Sequence, residues 1–174
     1  EFGDKSYTWV MWNGKWGAID RMGKVLFDAR LAMCPTFTED SSVAWVEWGG
    51  RWGAVTPEGR VAFEAILSSR PVFPEGADRC WAKWNGKWGV VSRDGEVILD
   101  AILAVRPQFG DRTTVWAEWN DAWGIVGREG VVLMNPLLKN EPIFDENDLA
   151  WGTWGGKWGV ISRDGRMVLR PTLP

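Results

Sequence analysis

The sequence predicts an all-β fold that consists of five copies of one short unit, and three observations support this interpretation. A tryptophan opens each copy at intervals of 36, 36, 35 and 35 residues: Trp9, Trp45, Trp81, Trp116 and Trp151. A glycine follows each of these tryptophans fourteen residues later: Gly23, Gly59, Gly95, Gly130 and Gly165. A Pro-x-Phe sequence recurs in four of the connections, as at Pro35 and Phe37. Recurrence at this many positions is typical of repeat proteins, in which one unit stacks on the next.

Each unit is expected to be a three-stranded antiparallel meander. In the third copy, Asn85-Gly86 separates two strand sequences and can adopt the positive φ angles of a two-residue type I′ hairpin. The other copies have Asn-Gly, Gly-Gly or Asn-Asp at this point, which meet the same requirement. A second turn with Gly95 in the left-handed conformation leads into the third strand. The extended piece around Pro-x-Phe is compatible with a fourth strand, and fewer strands per unit remain open.

The predicted hairpin register explains the spacing of the tryptophans. It places Trp84 opposite Lys87, with Trp81 and Trp88 on one face of the sheet and Trp84 and Gly89 on the other. The missing side chain at Gly89 leaves a hollow that a neighbouring indole can fill. Both faces of the sheet carry large apolar side chains, so we expect the next repeat to cover each face.

The two ends of the chain are complementary in sequence. Phe2 precedes Trp9 by the same seven residues that separate Phe109 from Trp116, and the last unit ends before any Pro-x-Phe. Residues 1–8 are therefore expected to complete the last unit, as in a β-propeller whose ring is closed by both termini. The prediction is a five-bladed β-propeller with short antiparallel blades, and the alternative is an open β-solenoid-like stack of repeats.

The predicted organisation is a single repeat domain over residues 1–174. Its units are approximately 9–44, 45–80, 81–115, 116–150, and 151–174 plus 1–8. The opening sequence EFGDKSYTW reads as the middle of a motif, which is compatible with a piece cut from a larger protein.

The stretch NGKWGVVSRDGEVIL resembles the WG β-repeat, also called the KWG repeat, which is found in many bacterial proteins. The resemblance covers nearly the whole chain through the basic-Trp-Gly sequences of the repeats: Lys15-Trp16-Gly17, Arg51-Trp52-Gly53, Lys87-Trp88-Gly89, Trp123-Gly124 and Lys157-Trp158-Gly159. The chain departs from the family pattern in the first two tryptophans of each unit and at Ala122, which replaces the basic residue. The resemblance implies a repeat scaffold and supplies no catalytic residues.

Composition excludes several classes of function. The chain has 15 tryptophans, no histidine and a formal net charge of −3, so imidazole-based catalysis and imidazole metal ligation are excluded. An acidic chain has no general surface for nucleic acid, and no stretch is apolar enough for membrane insertion. We expect no enzyme activity, no catalytic residue, no metal and no cofactor. Cys34 and Cys80 are expected to be small buried thiols, and the compartment stays open.

The candidate binding site lies where the hairpin turns bring tryptophans next to cations. The Trp81 and Trp88 columns are expected to form the core between repeats, whereas the Trp84 column is expected at a partly exposed rim. An exposed indole beside a cation can stack on a sugar ring, or the cation can merely cover it. The candidate residues are Trp12, Trp48, Trp84, Trp119, Trp154, Lys15, Arg51, Lys87 and Lys157.

The sequence predicts a monomeric, non-catalytic binding or scaffolding module whose partner is a protein. The alternative is a multivalent glycan-binding lectin that uses the rim tryptophans. A glycosidase-like enzyme is a third hypothesis, but the carboxylates Glu58, Asp94, Glu129 and Asp164 all lie in second turns, where acidic residues before glycine need no further role. The arginines of the same turns, Arg21, Arg93, Arg128 and Arg163, are expected to be solvated.

Overall fold

The computed structural model describes residues 5–38 and 41–173, and within them the chain forms fifteen β-strands without a helix. The predicted all-β class is therefore confirmed. No helix in this described part is long and apolar enough to cross a membrane.

Each repeat contributes three consecutive strands. The first repeat contains β1 (Tyr7–Trp12), β2 (Lys15–Asp20) and β3 (Val25–Leu31), and the second contains β4 (Ala44–Trp48), β5 (Arg51–Val55) and β6 (Val61–Leu67). The third repeat contains β7 (Arg79–Trp84), β8 (Lys87–Ser92) and β9 (Val97–Leu103). The fourth contains β10 (Thr114–Trp119), β11 (Ala122–Gly127) and β12 (Val132–Leu138), and the fifth contains β13 (Leu149–Trp154), β14 (Lys157–Ser162) and β15 (Met167–Leu173). The described Pro-x-Phe connections add no fourth strand.

The strands form antiparallel meanders. Strands β1-β2-β3, β10-β11-β12 and β13-β14-β15 are separate three-stranded sheets, and β4 to β9 form one six-stranded sheet in chain order. In that sheet, β6 and β7 meet at the pair Leu67 and Trp84. The chain divides into two compact units, Glu1–Asn85 with Val90–Ile98, and Gly86–Gly89 with Leu99–Pro174. The predicted single domain and the closed ring stay predictions.

The predicted turns are confirmed in every repeat. Asn85 and Gly86 have φ angles of 52° and 77°, and both turn residues also have positive φ in the other four hairpins. Gly95 has a φ of 85°, and its amide donates to the Ser92 carbonyl across the second turn, at 3.2 Å. These local requirements explain why Asn, Asp and Gly recur at the turn positions.

The residue after the second-strand tryptophan has to be glycine, because an indole and a backbone carbonyl both lie close to its Cα. The predicted register is present, with Trp12 opposite Lys15 in the first hairpin, and it recurs in repeats two, four and five. A Cβ on Gly17 would lie 2.3 Å from the Trp12 indole, as the predicted hollow requires. It would also lie 2.6 Å from the Phe27 carbonyl oxygen, because the third strand bulges towards the glycine there.

Successive repeats pack face to face. We call the side of a repeat that carries its first and second-strand tryptophans the front face, which in the first repeat consists of Trp9, Trp16, Ala18, Phe27 and Leu31. The opposite side is the back face, which in the second repeat consists of Ala44, Val46, Trp48 and Val55. These two sets form one apolar cluster between the first and second repeats. An equivalent cluster joins the fourth repeat to the fifth, so apolar packing between neighbours is a repeated feature.

A hydrogen bond and a glycine contact mark each of these joints. The indole N–H of the opening tryptophan donates to a carbonyl of the next repeat, two residues before that repeat's turn glycine. The pairs are Trp9 to Pro57 at 2.8 Å, Trp45 to Arg93 at 3.1 Å and Trp116 to Arg163 at 3.0 Å. The turn glycine lies against the preceding repeat, because a Cβ on Gly59 would be 2.6 Å from the Ala18 Cβ. We use the word joint for this combination.

The predicted completion of the last unit by residues 1–8 depends on Phe2, which lies outside the described residues. The described part of this segment pairs with the first repeat. Tyr7 lies opposite Asp20, and the Arg21 amide donates to the Ser6 carbonyl at 3.2 Å.

Candidate functional site

The five tryptophans predicted as a rim site are mostly buried. Trp48, Trp84, Trp119 and Trp154 expose only 9, 6, 6 and 9% of their surface, and Trp12 is half-buried. The expected partial exposure holds for Trp12 and is wrong for the other four indoles. Packing against the preceding repeat accounts for the burial of Trp48, Trp84 and Trp154. The Trp48 ring, for example, lies 5.6 Å from the Phe27 ring of the preceding repeat, in an edge-to-face arrangement.

The predicted cations lie at the start of the second strands, and in three repeats the register places them opposite the candidate tryptophan: Lys15 and Trp12, Arg51 and Trp48, Lys157 and Trp154. Lys15, Arg51, Lys87 and Lys157 are exposed, and the Arg51 guanidinium donates to the Ile66 carbonyl at 3.2 Å. Of the nine predicted site residues, the structure brings Lys15 and Trp48 together along one groove between the first and second repeats.

This groove, which we call the basic groove, has a volume of about 560 Å³. It runs between the first connection and the hairpin of the second repeat. Its apolar wall includes Met33, Cys34, Pro35 and Trp52. A concave site of this size with apolar walls and a few charged groups is typical of ligand sites in proteins.

The charges along the basic groove are mainly positive. Lys15, Arg30 and Arg70 line it together with one acidic residue, Glu47, so the formal charge of the lining is 3 − 1 = +2 on a chain whose net charge is −3. Arg30 pairs with Asp28 at 2.7 Å. Lys15 and Arg70 therefore contribute most to the attraction of a negatively charged ligand.

The tryptophans of the basic groove offer little bare aromatic surface. Trp48 is buried, and the Trp45 indole N–H is engaged by the Arg93 carbonyl. The guanidinium of Arg70 lies over the half-buried Trp52 ring, 5.6 Å from its centre. Stacking of a sugar would require displacement of this cation–π contact.

Cys34 differs from its predicted state. Cys80 is buried as expected, whereas Cys34 is exposed at the basic groove, so the expectation for Cys34 is wrong. Partial burial of the thiol still raises its pKa above the ordinary value. The exposed position makes Cys34 a natural attachment point for a reporter in the groove.

Comparison with known families identifies the scaffold. Residues 16–52 match the family model described as the WG containing repeat, which spans one period from the first Trp-Gly sequence to the second. Residues 16–52 therefore carry a WG repeat. This confirms the predicted resemblance, while the five copies rest on the sequence pattern and on the fifteen strands. The comparison with curated proteins finds no match. The family indicates a repeat-containing binding module.

The sequence interpretation missed an arginine clamp in the second turns of some repeats. The guanidinium of Arg163 lies 4.3 Å from the centre of the Phe144 ring, and Arg93 lies over Phe73 at 5.0 Å. Arg93 also donates to the Ala77 carbonyl at 2.8 Å. These turn arginines were expected to be solvated, and that expectation is wrong for them. The signal that could have identified the clamp is the recurrence, in three repeats, of a turn arginine after a Pro-x-Phe sequence: Arg93, Arg128 and Arg163.

A second groove, of about 690 Å³, lies between the fourth and fifth repeats, and we call it the acidic groove. Its charged lining consists of Asp111, Glu141, Asp148, Asp164, Arg112 and Arg163, with a formal charge of 2 − 4 = −2. Arg163 is held by Asp148 and lies over Phe144. The arginine clamp therefore occupies part of this groove, whereas the basic groove has no clamp arginine among its lining residues.

Proposed function

We propose that this WG-repeat protein is a non-catalytic binding module whose partner is a protein, and that the basic groove takes an acidic segment of that partner. The observation that carries the proposal is the combination of an apolar wall with the cations Lys15 and Arg70 on an otherwise acidic chain. Carboxylates of a peptide would approach the two cations, while an apolar side chain would pack near Met33 and Trp52. Complementary charge of this kind favours specificity and rapid association.

Two features of the groove favour a peptide over a sugar in this proposal. The lectin alternative depends on exposed indole faces, and Trp48 is buried while Arg70 lies over the Trp52 ring. The remaining apolar wall is formed by side chains such as Met33 and Pro35, which are suited to packing against apolar side chains of a protein. The glycan alternative is therefore included as an outcome of the test.

Peptide selection followed by titration tests the proposal. A displayed library of random peptides is selected on the immobilised chain, and recovered peptides are titrated into chain labelled at Cys34 with an environment-sensitive dye. Because Cys80 is buried, labelling under native conditions is directed to Cys34. We expect the recovered peptides to be enriched in Asp and Glu around an apolar residue, and their affinity to fall as salt is added.

A matched pair of variants assigns the binding to the groove. Arg70→Glu should weaken binding by about tenfold or more, which corresponds to about 1.4 kcal/mol. Arg106→Glu is the control, because Arg106 lies over Trp88 at 5.4 Å in the same kind of contact but lines neither groove. Equal affinity of the selected peptides for both variants would contradict the proposal. A saturable change of tryptophan fluorescence with an oligosaccharide, and none with any peptide, would favour the lectin alternative.

A further inference from the structure

The front face of the fifth repeat is exposed although it carries the groups of a joint. Trp151 and Trp158 expose 58 and 44% of their surface, and Leu169 and Leu173 expose 39 and 43%. Trp151 stands at the position of Trp9, Trp45 and Trp116, whose indole N–H groups donate to the next repeat. This face therefore has the apolar side chains and the indole N–H group with which other repeats pack against the next one.

The back face of the first repeat is its counterpart. Trp12 is half-buried, while the equivalent tryptophans of the other four repeats expose at most 9%. A Cβ on Gly23 would find no described atom within 4 Å, whereas a Cβ on the equivalent Gly59 would meet Ala18 at 2.6 Å. The turn glycine that enters each joint is thus present in the first repeat but has no described neighbour.

We propose that the front face of the fifth repeat binds the back face of the first repeat of a second copy of the chain, head to tail. The occupant is specified by the joints already present in the molecule. Between the fourth and fifth repeats, Trp116 donates to the Arg163 carbonyl and the Gly165 turn packs on Ile125. In the contact between copies, Trp151 takes the role of Trp116, and the second copy's Gly23 turn takes the role of the Gly165 turn.

This contact is heterologous, since it joins two different surfaces of the same chain. An assembly of any length has one uncovered front face at one end and one uncovered back face at the other. Association therefore proceeds into longer assemblies unless a ring closes. The sequence analysis predicted a monomer, and this proposal replaces that prediction with association between copies.

Sedimentation velocity over a range of concentrations tests the contact. We expect the weight-average mass of the wild-type chain to rise above 19.6 kDa as concentration increases. Trp151→Glu should remove the association by placing a carboxylate in the front face. Because Trp151 is mostly exposed, this variant should keep the circular dichroism and melting temperature of the wild type.

The back face is blocked by a substitution that its own repeat tolerates. Gly23→Asn places a side chain where the joint admits none, and asparagine accepts the positive φ of 79° better than most residues do. The matched control is Gly14→Asn, because Gly14 has a φ of 71° in the hairpin turn and no described atom within 4 Å of a Cβ. Gly14→Asn should associate like the wild type, whereas Gly23→Asn should stay monomeric.

Mixing the two blocked variants gives the decisive result. Gly23→Asn keeps the front face and Trp151→Glu keeps the back face, so a mixture should form a 1:1 dimer of twice 19.6 kDa that cannot extend. Either of two results would overturn the proposal: a wild-type chain that stays monomeric at every concentration, which would favour closure within one chain, or an equal mixture of variants that forms no dimer.

Discussion

The third strands of the second and fifth repeats occupy the same position in their units but differ in burial. In Val61–Leu67, Phe63 and Leu67 expose 5 and 0% of their surface, whereas the equivalent Leu169 and Leu173 of Met167–Leu173 expose 39 and 43%. Both strands pair with their own second strands in the same bulged register. The difference therefore lies in whether another repeat packs on the front face, which means that most of the core belongs to joints rather than to single repeats.

The largest effect is expected from a tryptophan at a joint. Trp84→Ala should destabilise the fold by about 3–5 kcal/mol, because Trp84 exposes only 6% of its surface and packs edge-to-face on Phe63. Urea unfolding followed by circular dichroism measures this change. Trp151→Ala, at the exposed face, is the control and should change the free energy of unfolding by much less. Similar losses for the two variants would contradict the comparison of joint and terminal face.

The same Leu→Ala substitution can be made at a joint and at the exposed face of the fifth repeat. Leu67→Ala should cost about 2–5 kcal/mol, because the leucine is fully buried and leaves a cavity at the joint. Leu173→Ala should stay within about 0.5 kcal/mol of the wild type, as surface substitutions usually do. Thermal and urea unfolding of both variants measure the difference, and a costly Leu173→Ala would mean that another part of the molecule covers the fifth repeat in solution.

Two alanine substitutions test whether the Trp-Gly position requires glycine because neighbouring atoms approach it closely or only because it is buried. Gly53→Ala should destabilise by about 1–3 kcal/mol, because a Cβ there would lie 2.3 Å from Trp48 and 2.7 Å from the Phe63 carbonyl oxygen. Gly127→Ala is the control, since the nearest atom to its Cβ would be at an ordinary 3.5 Å. Melting temperatures compare the two, and equal values would show that the indole and the bulged strand move aside at little cost.

The joint hydrogen bond can be removed while an aromatic ring is kept at the position. Trp45→Phe takes away the indole N–H that donates to the Arg93 carbonyl at 3.1 Å, and should cost about 1 kcal/mol from this bond, in addition to the smaller apolar area. Trp151→Phe removes the same group at the open face and should have almost no effect on unfolding of the single chain. Chemical denaturation at low protein concentration measures both variants without contributions from association.

The smallest effect is expected in the second turns. In this respect the second and fifth repeats are alike, because each has an acidic residue directly before its turn glycine. A hydrogen bond from the Thr56 hydroxyl is the main cause that lowers the pKa of Glu58, and one from Ser162 does the same for the pKa of Asp164. A lowered pKa in the folded state contributes stability that is present above the unfolded pKa and is lost as the pH falls through the folded pKa. Thr56→Ala and Ser162→Ala should each raise the respective pKa towards its ordinary value in an NMR titration. Unchanged values would mean that other charges set both of them.

The local parts of the fold were predictable because they depend on neighbouring residues in the chain. A two-residue hairpin turn requires positive φ angles, which Asn85 and Gly86 adopt, and the hairpin register then follows from the length of the loop. The need for a glycine beside Trp12 also followed from this register, since Trp12 and Gly17 lie on the same face. The bulge of the third strand towards Gly17 was not predictable, because it depends on the path of a strand ten residues away.

The candidate site was predicted less well, for a physical reason. Proximity to a hairpin turn suggested that Trp84 would be partly exposed, yet its indole is buried and packs edge-to-face on Phe63 of the preceding repeat. Lys15 and Trp48 were identified as candidates, but Met33, Cys34 and Arg70 of the basic groove were not. Those three lie in irregular connections, where no periodicity indicates which side chains converge.

The sequence by itself determined the repeat length, the positions of the turns and the two alternating faces of each hairpin, because these follow from backbone geometry over a few residues. Only the tertiary structure decided which tryptophans are buried. Both faces of each hairpin carry large apolar side chains, so alternation alone cannot rank Trp84 against Trp88, and the choice depends on the neighbouring repeat that covers each face. The fifth repeat demonstrates this, since the same Trp-rich pattern leaves Trp151 and Trp158 exposed.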